Sequence, residues 1–262
     1  MPIEPLNSYK QHVARSFEKA AASYDSHALF QQEVLSYLLK MLPTRTYSTT
    51  LDLGCGTGNA LAQLAAMSER LMALDLSPAM LLEARKKISK VDFVCADAEA
   101  LPFVDARFEV VFSSVASQCS VSQARLFQQL HSALSANGIW AFSTLCEHSM
   151  PEIANIWLEL DGCSHTNQYP PLPEIVDNLQ MAGFALHQQE LRTVTVWFDT
   201  PQAAIYSLKK VGASLITDQQ NQRVVSPSSW RRFMAKYESL REAKGIPLSY
   251  QVAYLVVQKT ES

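Results

Sequence analysis

Apolar residues fall at helical spacing over the first forty or so positions. Val13, Phe17, Ala20, Ala21 and Tyr24 recur in step, and a second run from Leu29 through Val34, Leu35, Leu38 and Leu39 does the same until Pro43. This periodicity predicts two helices ahead of the first strand. From Thr49 the pattern changes to short apolar runs at 51–53, 71–74, 91–95, 110–113 and 139–142, separated by amphipathic stretches. Strand and helix alternating at this length predict a parallel sheet with helices on both faces. Asn137-Gly138 marks the stop of a helix around 126–134 and feeds the fifth strand. Beyond it the alternation loosens: helices are predicted near 151–160 and 173–182, an extended run at 187–198, mostly helix over 201–244, and a last strand at 249–257. That strand is expected to rejoin the sheet, which makes 201–247 an excursion over one face.

Composition narrows the class. With 262 residues, 48% of them hydrophobic, the chain can bury the core of one large domain or two small ones, and disorder is excluded as its main state. The longest apolar stretches, around 71–76 and 252–257, fall well short of the ~20 residues of a membrane span, and positions 1–11 lack an apolar segment after basic residues. A soluble, cytoplasmic protein with no membrane partner is expected. Five cysteines, an odd number with no C-x-x-C pair, argue against disulfides and a structural zinc site. The net charge of −3 hides an asymmetry: residues 46–200 hold 8 Lys and Arg against 17 Asp and Glu, whereas 201–247 hold 8 against 3. The basic residues of that late segment, Lys209, Lys210, Arg223, Arg231, Arg232, Lys236, Arg241 and Lys244, form a candidate docking surface for an acidic partner or a solvated helix face. With no basic tract, nucleic acid is a poor partner.

The strongest chemical signal is Leu51-Asp52-Leu53-Gly54-Cys55-Gly56-Thr57-Gly58-Asn59, a buried strand running into a glycine-rich turn and then a helix. Missing side chains let backbone lie against a ligand, and the helix start favours an anionic group there. A nicotinamide fingerprint needs glycine at the sixth place of G-x-G-x-x-G, which here is Asn59, and no Gly-Lys-Ser/Thr occurs to make a P-loop. Alone, the turn could be merely tight. Asp75, however, closes the second predicted strand 21 positions after Gly54, where a carboxylate can accept from both ribose hydroxyls. Ser77-Pro78 then supplies an N-cap and first-turn residue. Asp97 stands at the end of the third strand, at the carboxyl edge where open α/β sheets bind ligands.

This combination resembles the class I S-adenosylmethionine-dependent methyltransferases over roughly residues 48–145. The resemblance implies an α/β, Rossmann-like, seven-stranded, mostly parallel sheet with the last strand antiparallel, and S-adenosyl-L-methionine as cofactor. By carry-over it assigns Gly54 and Gly56 to the methionine end with Ser113-Ser114 beside it, Asp75 to the ribose, and Leu76, Asp97 and Ala98 to the adenine, and it counts Asp52 of the same motif among the cofactor-binding residues. Base-amine methyltransferases carry an Asp/Asn-Pro-Pro-aromatic loop after strand four; Ser113-Ser114-Val115-Ala116-Ser117-Gln118 argues against nucleobase acceptors.

The flanks are more specific. Phe17-x-x-Ala20-Ala21-x-x-Tyr24-Asp25, Pro170-Pro171, Trp197-Phe198-Asp199, Ser207-Leu208-Lys209 and Val211-Gly212-Ala213 look like the malonyl-acyl-carrier-protein O-methyltransferase family of biotin synthesis. That resemblance implies methylation of the free carboxylate of a malonyl thioester, with acidic carrier protein as partner of 201–247. It divides the chain into 1–45, helices closing the cofactor site; 46–200, the cofactor-binding core; 201–247, a basic helical lid excursion; and 248–262, the returning strand. A carboxylate acceptor, with a reference pKa near 4, is already ionised at neutral pH and needs no base; it must be held and partly desolvated instead. Lys209 and Arg15 are the candidate cations, and Tyr24 the residue closing the cofactor site. The chain departs from the family pattern at Cys119, where a Trp usually follows the glutamine, and at Lys210, where Gly is frequent. Other readings of the same residues are a methyltransferase for another small carboxylic acid or a quinone-type metabolite, and a non-catalytic cofactor-binding protein.

Overall fold

The computed structural model describes residues 8–210 and 225–260. Seven strands form one sheet in the order β3-β2-β1-β4-β5-β7-β6. They are β1 (Tyr47–Leu53), β2 (Ser68–Asp75), β3 (Asp92–Cys95), β4 (Phe108–Ser114), β5 (Leu134–Leu145), β6 (Phe184–Phe198) and β7 (Ile246–Lys259). The first five pair in parallel, and β7 lies antiparallel between β5 and β6. The expected sheet and its reversed last strand are therefore present.

The strands read as continuous apolar runs because both faces are covered. Along β4, Val110 and Phe112 enter one core while Phe108 and Val111 enter the other; along β7, Val252, Tyr254 and Val256 alternate with Ala253, Leu255 and Val257 in the same way. Successive side chains of a strand point to opposite faces, so one run supplies two cores. The first face is covered by α3 (Leu29–Met41), α4 (Leu61–Ala66), α5 (Pro78–Lys87), α7 (Pro151–Asp161) and α10 (Pro227–Glu238); the second by α6 (Gln123–Ala133) and α8 (Leu172–Met181). No helix among the described residues is long and apolar enough to cross a membrane.

The N-terminal region holds α1 (Ser8–Ala20), a turn of 3-10 helix at Ala21–Ser23, and the short α2 (Tyr24–His27) before α3. The expected pair of helices is thus broken by a bend at 21–28. In the late segment, α9 (Pro201–Lys210) packs on β6 and β7, and α10 packs on α7, where the Trp157 and Phe233 rings stack with centroids 4.7 Å apart. Phe233 and Tyr237 are wholly buried in the first core. The helix expected to reach residue 244 stops at Glu238. Gly245 causes the reversal that follows: its φ is +118°, and a Cβ there would lie 2.5 Å from the Phe198 carbonyl oxygen. Residues 211–224, including Arg223 and Val211-Gly212-Ala213, and the Cys119 and Lys210 side chains lie outside the described structure.

Candidate active site

A cavity opens at the carboxyl ends of β1–β4, beneath α1 and α2. Its floor and walls come from Leu53, Gly54 and Gly56 of the first turn, Asp75, Leu76 and Met80 after β2, Ala96–Glu99 after β3, and Ser114–Ser117 with Ser120 after β4; Lys10, Val13, Phe17 and Tyr24 roof it. Parallel strands direct their following loops to one edge, which is why residues so far apart in sequence meet there.

The glycine turn adopts left-handed backbone, with φ of +72° at Gly54 and +54° at Gly56, a region that residues with a Cβ seldom occupy. Gly54 must also be small, because a Cβ there would stand 2.5 Å from that of Ala116. At Gly56 an added Cβ would meet no protein atom within 4 Å, so the space beside that backbone is open. Asp75 fixes the turn from below: Gly56 N–H donates to Oδ2 at 2.9 Å and Ser77 N–H to Oδ1 at 2.8 Å. Burial raises the Asp75 carboxyl pKa against the opposing effect of those backbone donors. Ser77 caps α5 as expected, accepting from Met80 N–H at 3.4 Å, with Pro78 in the first turn.

Asp97 carries two partners. Its Oδ1 accepts from Glu99 N–H at 2.9 Å, and its Oδ2 pairs with Lys10 Nζ at 2.5 Å; Lys10 also reaches Glu99 at 3.1 Å. Lys10 went unmarked in the sequence. It precedes Val13 by three positions and Phe17 by seven, the spacing of one helix face, so its place on the cavity side was legible although its partners were not.

Asp52 does not line the cavity. It is 2% exposed beneath the turn, and its Oδ2 has no hydrogen-bond partner. Burial, then the Asp75 charge, pushes its pKa up to about 8. Ser113 is likewise buried behind the wall with its hydroxyl unpartnered; the neighbour that reaches the cavity is Ser114. The pleat decides between them, since adjacent residues of a strand face opposite ways. Leu76, Ala98 and Tyr24 stand on the cavity wall, where the sequence placed them.

Arg15 and Lys209 do not. Arg15 is exposed, two residues from Val13 and from Phe17 and so on the opposite side of α1. Lys209 is exposed on α9, whose contacts are with β6, β7, α10 and α2 rather than with the cavity. The loop after β4 adds a feature that no spacing announced. Val115, a β-branched residue, holds φ at +51°, a strained conformation for its type. Its N–H donates to the Ser143 carbonyl at 3.1 Å and its carbonyl accepts from Gln118 Nε2 at 2.6 Å, which keeps Ala116 against Gly54.

Similarity to known proteins agrees with this geometry. A methyltransferase-domain family matches residues 50–138, the stretch that supplies the glycine turn and the strand-end carboxylates, so the molecule is by class a methyltransferase. A solved S-adenosylmethionine-dependent methyltransferase from Mesorhizobium loti shares the fold at a TM-score of 0.52 and 20% identity, covering 86% of this chain and 96% of that one. A malonyl-[acyl-carrier protein] O-methyltransferase of Marinomonas sp. (strain MWYL1) is 45% identical, covering 97% of this chain and 96% of that protein. The biotin biosynthesis bifunctional protein BioHC of Cellvibrio japonicus (strain Ueda107) is 35% identical over 95% of this chain, which spans 50% of that protein. The chain belongs to the malonyl-[acyl-carrier protein] O-methyltransferase family.

The residues present fit S-adenosyl-L-methionine. The open space at Gly56 admits a ligand against bare backbone, and each carboxylate oxygen of Asp75 and Asp97 retains a second lone pair for a ligand donor.

Proposed function

We propose that this protein transfers a methyl group from S-adenosyl-L-methionine to the free carboxylate of malonyl-acyl-carrier protein, giving the malonyl methyl ester thioester early in biotin synthesis. The observation that carries the reading is likeness over nearly the whole chain, 97% of it at 45% identity, which takes in the N-terminal roof and the late excursion as well as the cofactor core. When bound, the cofactor supplies an electrophilic methyl group on a sulfonium.

The chain's own contribution is alignment and exclusion of water. Asp75 and Asp97 accept from the cofactor's ribose and adenine donors, Leu76, Met80 and Ala98 form apolar walls, and Gly54 and Gly56 let backbone approach the methionine end. Phe17 and Tyr24 cover the reacting face. No proton has to be removed, because the acceptor carboxylate is ionised at neutral pH. With Arg15 and Lys209 outside the cavity, the hydroxyls of Ser114, Ser117 and Tyr24 on its wall are the donors assigned to the acceptor, the Ser120 hydroxyl being committed to the Ser117 carbonyl at 2.8 Å. The carrier's acidic surface would meet α10. There Arg231 and Arg232 are exposed, whereas Lys236 is engaged by Glu159 at 2.6 Å and Arg241 by Glu238 at 2.5 Å.

The test is a mass-spectrometric methyl-transfer assay run in parallel on malonyl-carrier protein, malonyl-coenzyme A and free malonate. Preferred methylation of the carrier-bound malonyl group is expected, and its KM should rise about tenfold at low salt in the R231E/R232E double variant with little change for malonyl-coenzyme A. Binding of cofactor with no transfer to any of the three would reject the acceptor. Equal losses on the carrier-bound and coenzyme A substrates would reject α10 as the docking face.

A further inference from the structure

One cluster of polar side chains beside the cavity has no part in the cofactor contacts above. Asp25, next to Tyr24 in α2, accepts from Thr57 Oγ1 at 2.5 Å and Asn59 Nδ2 at 3.0 Å through one carboxylate oxygen, and pairs with Lys87 Nζ at 2.6 Å through the other. Lys87, at the end of α5, also donates to Asn59 Oδ1 at 2.6 Å. Both ends of the Asn59 amide are therefore committed to the cluster, and Thr57 is 2% exposed within the glycine turn. Three donors from two separate elements converge on one carboxylate of the roof. Although burial alone would raise it, the Asp25 pKa is carried below its ordinary value by its bonds to Lys87, Thr57 and Asn59, so the carboxylate stays charged through the neutral range.

At the other end of the roof, Lys10 is held by Asp97 and Glu99. Between the two anchors lie Val13, Phe17 and Tyr24, the residues by which the N-terminal segment lines the cavity. A strap tied down on both sides of a ligand must loosen at one side before the ligand leaves. The Asp25 end is the more exposed: the Asp25 and Lys87 side chains are 42% and 36% accessible, against 10% for Lys10. Exposed ion pairs are individually weak and open readily.

We propose that Asp25 is a positioning residue, fastening the N-terminal segment to Thr57, Asn59 and Lys87 so that Tyr24 is seated over the bound cofactor, and that release of this fastening sets the rate at which the cofactor product departs. The proposal rests on the reading of the cavity as the S-adenosylmethionine site.

The experiment measures S-adenosylmethionine and S-adenosylhomocysteine binding to the full chain by calorimetry and dissociation by stopped-flow displacement. D25A is expected to raise Kd and the dissociation rate together by about tenfold, the scale of one lost charge-assisted hydrogen bond, with the association rate within about twofold and melting temperature nearly unchanged. K87M and N59A should each give a smaller rise in dissociation rate and combine non-additively with D25A; if D25A does not fold, these two exposed-side variants carry the test. D25E, which keeps the charge, should recover most of the slow dissociation. A wild-type dissociation rate in D25A, or a loss confined to the association rate, would overturn the fastening. Wild-type protein that binds neither ligand would overturn the cofactor reading and this proposal with it, whereas tight binding by wild type, lost in D75A but unchanged in D25A, would overturn the proposal alone.

Discussion

The floor of the cavity and its roof are held by different kinds of bond. The floor consists of strand ends and the turns that leave them. Its positions follow from β1, β2 and β4 being clamped between two apolar cores, from glycine backbone at Gly54 and Gly56, and from backbone N–H donors to Asp75. The roof consists of helices fastened through side chains, among them Lys10 to Asp97 and Glu99, and Asp25 to Thr57, Asn59 and Lys87, with Val13, Ala20 and Ala21 buried beneath it. A floor of this kind is expected to persist without ligand, because disturbing it disturbs the core. A roof of this kind can open at the cost of a few polar contacts and a small buried apolar patch, without disturbing the sheet. An enzyme that must shield a reactive methyl group and then release its product needs both properties, and here they are segregated by element.

Four substitutions probe that division. The largest effect should come from G54V, which demands a β-branched residue at φ +72° and drives its Cβ into Ala116; cofactor affinity by calorimetry is expected to fall more than about a hundredfold. Retained affinity would mean the floor yields as easily as the roof.

Next is D52N, read as melting temperature against pH. The Asp52 pKa is raised in the folded protein to about 8. Folding therefore binds a proton that the unfolded chain has released, and the wild type loses stability from this group as pH rises from the usual carboxylate range to about 8. The amide variant escapes that loss, so it should gain on the wild type progressively from pH 5 to pH 8, by up to several kcal/mol. Parallel pH curves would remove Asp52 from the buried floor.

K10M should be felt less. It leaves the buried Glu99 and the partly exposed Asp97 without their cation, so a loss of about 1–3 kcal/mol in thermal or denaturant unfolding is expected, together with weaker cofactor binding. The smallest effect is assigned to K236A, since the pair with Glu159 lies at the surface with side chains 37% and 65% accessible; stability should change by less than about 1 kcal/mol. A larger change there would show that α10 depends on its ion pair as well as on the Trp157–Phe233 stack.

The two regions also differed in how well they could be read from the chain. Each strand from β1 to β5 is visible as an apolar run, and Gly54, Gly56, Asp75 and Asp97 stand where strand ends and turn chemistry, which are local properties, place them; Leu76 and Ala98 follow only from the family resemblance. Misplacements came where one residue's choice of side mattered. Ser113 and Ser114 stand together in the motif, and the pleat brings only Ser114 to the cavity. Arg15 was named as a cavity cation although it lies on the outer side of α1, and Lys10, on the inner side, was passed over. Asp25 was visible only as the end of a motif, since its partners lie 32, 34 and 62 positions away.

What the amino-acid sequence determined by itself was the alternation of strands and helices, the left-handed glycine turn and the carboxylates that end β2 and β3, all of which follow from periodicity and backbone sterics within a few residues. Tertiary structure alone decided which face each of those residues presents, that Asp52 and Ser113 lie behind the wall, and that Lys10 and Asp25 anchor the roof. Those outcomes depend on contacts between segments brought together by the sheet, and a contact between distant positions leaves no trace in local spacing.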